Sequence, residues 1–290
     1  MTAVRRTAVR LALSVLIGTS VTVAVGPAAG AAVAPGARYV ALGDSYTAGP
    51  LILPMSDTFT CARSALDYPA LLAARIKPAA FRDVSCSSAT SGDFSSPQKG
   101  QVFGTNPPQY NAITAATTLV TVGIGGNDIG LVGLAESCVN VLPAPYGTSC
   151  AAKYTAGGVD VYSQRIAAFA PTYGAIVEHI RSLAPSARIL LVGYPTGIRN
   201  GGCFPIQPIL GVDATYIQAK IDELNAAMKA QALAHGATYV DIRTPSIGHD
   251  ACALPGIRWV EGLIPTSDAF PLHPNELEMQ DTAKVIFGTL

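Results

Sequence analysis

Five short apolar runs of strand length alternate with longer stretches of helical period, and this alternation restricts the chain more than any other feature. The runs cover 39–42, 81–85, 118–124, 188–193 and 238–242, several of them bounded by Gly or Pro. Between the later runs, Ile166, Phe169, Tyr173, Ile176, Ile180 and Leu183 recur every three or four residues, and the pattern stops before Pro185. Ile217, Ile221, Leu224 and Met228 repeat it and lead to His235-Gly236, where glycine is a natural helix end. Alternating β and α units call for parallel strands whose crossover helices cover both faces of one sheet, so the expected class is α/β.

In such a sheet the ligand crevice lies beyond the strand C-terminal ends where strand order reverses. For the five-stranded order 2-1-3-4-5 that point falls between the first and third strands. The first run breaks at Gly43-Asp44-Ser45-Tyr46, and the third leads into Gly125-Gly126-Asn127-Asp128-Ile129-Gly130. A serine hydroxyl is a weak nucleophile until a base takes its proton, and a strand end facing a crevice holds such a group both fixed and accessible. Taken alone, the first segment is also compatible with an ordinary loop serine. The Asn127 segment is equally a turn former and a candidate oxyanion donor, a role in which one side-chain N–H is worth ~3 kcal/mol in the transition state.

A base is still required. His273, in Ala269-Phe270-Pro271-Leu272-His273-Pro274-Asn275, stands where Pro274 restrains the chain ahead of an expected final helix. His179 falls inside a helical pattern and His235 near a helix end, where the dipole favours a cation. His249 is the rival base, although burial or bracing a loop beside Cys252 is the more ordinary explanation for it.

Residues 1–31 read as an export leader that is then removed: Arg5, Arg6 and Arg10 precede an apolar run, and Ala29-Gly30-Ala31 resembles a cleavage signal. Gly18, Thr19, Ser20 and Thr22 interrupt that run, which is short for a span of ~20 apolar residues, so no stable membrane anchor is expected. Residues 32–290 are expected to form one catalytic domain, since no linker or repeat divides them. The 19 basic and 19 acidic residues balance, which offers no footing for a nucleic-acid partner, and a monomer is expected. Cys61, Cys86, Cys138, Cys150, Cys203 and Cys252 all follow the leader, and an even count in an exported chain implies disulfides. Their sequence order suggests the local pairs Cys61 with Cys86, Cys138 with Cys150, and Cys203 with Cys252. No CxxC pair is present to support a zinc site.

Gly43-Asp44-Ser45-Tyr46, Cys86-Ser87-Ser88-Ala89-Thr90, Gly126-Asn127-Asp128 and His273-Pro274, in this order, resemble the four blocks of the SGNH (GDSL) hydrolase family, especially its secreted actinobacterial lipase and esterase branch. The resemblance implies a flavodoxin-like three-layer α/β/α sandwich, Ser45 as nucleophile and His273 as general base. It also implies an oxyanion hole from the backbone N–H groups of Ser45 and Ser88 and the Asn127 amide, and it supports the three local disulfides. Two departures stand out. Ser88 replaces the family's usual glycine, and Phe270 occupies the usual acid position three residues before the histidine. By similarity to members that lack this acid, the carbonyl of Phe270 or Pro271 would orient His273, with the Asp268 carboxylate as the alternative.

The expected function is a secreted, cofactor-independent serine hydrolase that cleaves carboxylic esters, with a small-molecule or lipid ester as substrate. Deacetylation of a glycan is a second enzymatic possibility, and an exported glycan- or lipid-binding protein without catalysis a third. The joint presence of Ser45, Asn127 and His273 argues against the last, because binding alone needs no nucleophile, oxyanion donor and base.

Overall fold

The computed structural model describes Met1–Thr2 and residues 36–290. The chain divides into two units, Met1–Gly30 and Ala31–Leu290, and the fold below is that of the second. The expected leader lies outside the described residues except for Met1 and Thr2.

The central sheet contains β1 (Arg38–Gly43), β2 (Ala80–Asp83), β3 (Leu119–Gly123), β4 (Arg188–Val192) and β5 (Thr238–Val240). All are parallel and their order is β2-β1-β3-β4-β5, so strand order reverses between β1 and β3 as expected. The α-helices are α1 (Ser45–Ala48), α2 (Tyr68–Ile76), α3 (Gly126–Ile129), α4 (Leu131–Ser137), α5 (Cys150–Tyr154), α6 (Val161–Leu183), α7 (Gly211–Ala234) and α8 (Glu276–Thr289).

The runs are apolar throughout because both sheet faces are covered, and alternate residues feed different cores. Val40, Leu42, Val120, Val122, Ile189 and Leu191 pack with the α6 and α7 residues Tyr173, Ile176, Ile217 and Leu224. Tyr39, Ala41, Leu190 and Val192 pack with Leu72 of α2 and Met279, Ala283 and Ile286 of α8. Side-chain caps start the helices: Asp67 on α2, Asp160 on α6 and Asn275 on α8 accept first-turn N–H groups, each worth ~1 kcal/mol. Helix α7 ends before Gly236, whose φ of +67° closes it.

Two strands, β2 and β5, end two residues before their apolar runs do. Beyond Asp83 the bonds to β1 continue, from the Val84 N–H to the Ala41 carbonyl and from the Cys86 N–H to the Gly43 carbonyl, both at 3.0 Å, while the Asp83 carboxylate accepts the Ser85 N–H at 2.9 Å; beyond β5, Asp241 accepts the Thr244 N–H at 3.0 Å. Disulfides join Cys61–Cys86, Cys138–Cys150 and Cys203–Cys252, the pairs that sequence order suggests.

Candidate active site

β1 and β3 leave the sheet side by side, with Gly43 and Gly123 in register. A Cβ on Gly43 would lie 2.6 Å from the Gly123 carbonyl oxygen, so no larger residue fits there. Buried Gln109 satisfies both backbone groups of Gly43: Oε1 accepts its N–H at 2.8 Å and Nε2 donates to its carbonyl at 3.0 Å. Asp44 then caps the one-turn helix α1, its Oδ1 accepting the Tyr46 N–H at 2.8 Å. Ser45 is thereby held at the first helical position, in the wall of a pocket it shares with Asn127.

His273 arrives from the far end of the chain on a loop held by backbone bonds. The Glu261 N–H donates to the His273 carbonyl at 2.9 Å, and the Leu272 N–H to the Gly262 carbonyl at 3.1 Å. The Tyr46 hydroxyl donates to the Leu272 carbonyl at 2.7 Å, joining this loop to the turn that carries Ser45. Asn275 caps α8 with its oxygen and donates its amide to Glu261 Oε1 at 2.9 Å.

The His273 Nε2 lies 2.8 Å from Ser45 Oγ, and Nδ1 lies 2.8 Å from the Pro271 carbonyl oxygen. A carbonyl can only accept, so Nδ1 carries the ring proton and Nε2 presents a lone pair to the serine hydroxyl. Burial pushes the imidazole below its ordinary pKa of 6.5, opposed by the Pro271 bond, so the ring is neutral at neutral pH. The Phe270 carbonyl is engaged by the His273 backbone N–H at 3.1 Å. Asp268 is exposed, on the surface beside Ser267, Glu276 and Gln280, and does not partner the ring. Of the expected orienting groups, the fold brings the Pro271 carbonyl to Nδ1 and leaves the Asp268 carboxylate outside. The cause is the turn at Leu272, whose φ of +63° folds the preceding carbonyl back onto the imidazole.

Ser88 has a φ of +65°, in the region glycine favours, which serine enters at a cost of about 1 kcal/mol. The Gln98 and Gln101 side-chain amides both donate to the Ser87 carbonyl at 2.7 Å. In a trans peptide the Ser88 N–H points opposite to that carbonyl, so the two glutamines aim it. Among the described residues neither the Ser45 nor the Ser88 N–H has an acceptor. Asn127 Nδ2 donates one hydrogen to the Ala89 carbonyl at 2.9 Å and keeps a second. Asp128 accepts the Ser91 N–H at 3.0 Å and its hydroxyl at 2.6 Å, lacing the loops that carry Ser88 and Asn127.

The other histidines lie apart from Ser45. His249 stacks on Trp259 at 4.0 Å and its Nδ1 bonds to the Ile257 carbonyl, His179 packs on Tyr110, and His235 pairs with Glu178. Gln109, Gln98, Gln101 and Tyr194 support the site and escaped the sequence reading, since an isolated amide or phenol in a loop carries no periodic signal. Beyond Ser45 the pocket wall is mostly apolar, with Leu131, Ile198, Ile209, Ile217 and Ile221 beside the polar Gln207 and Glu261.

Residues 41–278 match the GDSL-like Lipase/Acylhydrolase family. The chain belongs to that family. Lipase 2 of Streptomyces coelicolor is 36% identical to it over 271 residues, 90% of this chain and 88% of that one. A phospholipase A1 from Streptomyces albidoflavus superposes with a TM-score of 0.67 at 28% identity, covering 87% of this chain and 98% of that one. An extracellular lipase from Streptomyces rimosus gives 0.66 at 25% identity, over 88% and 100% of the two chains. This GDSL-type protein is a carboxylic ester hydrolase, with the five-stranded parallel sheet of its structural neighbours.

Proposed function

We propose that this GDSL hydrolase cleaves lipid acyl esters outside the cytoplasm through a covalent acyl-enzyme on Ser45. His273 Nε2 takes the hydroxyl proton as Ser45 Oγ attacks the ester carbonyl, and the resulting imidazolium protonates the departing alcohol. The Ser45 and Ser88 N–H groups and the Asn127 amide meet the oxyanion as it forms. Water, activated by the same imidazole, then frees the acid. These steps call for no metal or organic cofactor.

The observation that carries the reading is the chain of contacts from the Pro271 carbonyl through His273 to Ser45, which sets the base in the productive tautomer. The apolar wall beyond Ser45 supports an aliphatic acyl group as the part received. Three disulfides support action in an oxidising compartment. Among the described residues no helix is long and apolar enough to cross a membrane.

A fluorophosphonate probe followed by peptide mass spectrometry tests the nucleophile: the adduct is expected on Ser45 and absent from Ser45→Ala, and an adduct persisting in that variant would exclude the assignment. A panel of p-nitrophenyl esters from acetate to palmitate, run beside phospholipid and acetylated glycan, tests the substrate class. Preference for the acetylated glycan would overturn the lipid reading.

A further inference from the structure

Every connection that leaves the C-terminal end of a strand carries a large, exposed apolar side chain: Leu53 after β1, Phe103 after β2, Val141 after β3, Ile206 after β4 and Ile264 after β5. Their exposure runs from 58% at Leu53 to 83% at Val141. The connections that arrive at strand N-terminal ends, 77–79, 113–118, 184–187 and 235–237, carry no exposed large apolar side chain. The arriving connections are short and hold one large apolar residue, the buried Ile113, so the marked feature is that all five long connections at the other edge expose one. The edge so marked is the one that holds Ser45.

Each of these side chains is linked to the site through its neighbours in the chain. Phe103 stacks on Phe59 at 4.6 Å, beside Gln101, which holds the Ser87 carbonyl. Val141 follows Asn140, whose N–H donates to the Pro208 carbonyl at 2.6 Å, next to Ile209 of the pocket wall. Ile206 precedes pocket-lining Gln207, whose Oε1 accepts the N–H of Leu263, the residue before Ile264, at 3.1 Å. Leu53 lies three residues after Pro50, whose carbonyl accepts the Phe270 N–H at 2.9 Å, close to His273. Arg63 and Arg199 on these connections pair with Asp57 and Asp250, Lys99 and Lys153 have no acidic partner among the described residues, and the connections together hold more acidic than basic residues, which disfavours an anionic surface.

We propose that this edge docks the enzyme on the surface of aggregated zwitterionic lipid, so that an ester passes from the lipid into the pocket. The proposal rests on the lipid-ester reading above. Separate apolar tips around a mouth suit a fluid surface, which each tip enters independently. A second copy of the chain or a peptide would need a continuous complementary face.

The test uses Ser45→Ala protein and phosphatidylcholine vesicles in a flotation assay, so that binding is read without turnover. The protein is expected to float with the vesicles, and adding phosphatidylserine is expected to give no increase. Phe103→Ser with Ile264→Ser in that background should lower the bound fraction about tenfold, through lost apolar burial in the lipid. Leu233→Ser with Phe287→Ser, exposed on α7 and α8, should leave it within about twofold. Circular dichroism verifies that both variants fold. Absence of flotation, or equal loss in both pairs, would overturn the proposal. So would a lipid-free dimer that only the first pair dissociates, which would assign the edge to a second copy. Failure of the lipid-ester reading registers separately, as glycan preference of the wild-type enzyme in the ester panel.

Discussion

The Tyr194 hydroxyl donates to Asp44 Oδ2 at 2.6 Å and accepts the Gly126 N–H at 2.7 Å. One phenol thus joins the residue before Ser45 to the residue before Asn127. Tyr194→Phe deprives the carboxyl of a donor and the amide of its acceptor, and each buried group left unpaired costs about 1–3 kcal/mol. Urea denaturation should show that loss, and kcat should fall about tenfold as the two turns lose their common anchor. Wild-type kcat in the variant would show that the turns hold their positions independently.

Burial pushes the Asp44 carboxyl from 3.8 up to about 7, against the opposing hydrogen bonds from Tyr194 and the Tyr46 amide. Between these values the folded protein keeps a proton that the unfolded chain releases, so this group's contribution to stability declines as pH rises toward 7 and is lost above it. Asp44→Asn should flatten the stability profile over that window relative to wild type. Denaturant titrations across the window check it, and parallel profiles would remove Asp44 as the source.

His273 is shifted in the opposite sense, below 6.5, by burial. The free base therefore persists into mildly acidic solution, and the acid limb of kcat/KM on a short soluble ester should have its midpoint below 6.5. The same shift predicts declining stability as pH falls below 6.5, because the unfolded imidazole gains its proton first. A pH-rate profile with its acid limb at or above the ordinary histidine value would contradict the buried, neutral base.

Asn127→Ala removes a donor whose interaction strengthens as the oxyanion forms, so kcat should fall on the order of a hundredfold with KM little changed. Steady-state kinetics measure the split. A loss confined to KM would make Asn127 a substrate-binding group, and no loss would leave it the turn residue that anchors Ala89.

Asp268→Asn should retain activity within about tenfold, a barrier change under ~1.4 kcal/mol, because Nδ1 is already bonded to the Pro271 carbonyl. A carboxylate that stabilised the imidazolium would cost several powers of ten on removal. A thousandfold loss in a correctly folded variant would therefore reinstate Asp268.

Much of this arrangement is legible in the chain itself. The apolar runs and helical periods report which residues face a core and so give the α/β class, and the five-stranded order taken for that class is the one observed. Gly43 before Ser45 and Gly125-Gly126 before Asn127 mark strand ends that need small residues, so both turns at the crevice could be placed from sequence. The strand limits were less legible, because an apolar run continues into residues such as Val84 that still bond to the neighbouring strand after regular pairing has ended.

Sequence alone determined the class of fold and the two turns that meet at the crevice, because periodicity and turn chemistry are local properties, and it left His273 with His249 as a rival. Tertiary structure alone decided that the Pro271 carbonyl and not Asp268 meets Nδ1, that Gln98 and Gln101 aim the Ser88 amide, and that Tyr194 bridges the two turns. Tyr194 and Asp44 lie 150 residues apart in sequence. A pattern of apolar residues records which side of an element is buried, whereas the angle at which a polar group meets its partner depends on how the whole sheet and its loops pack.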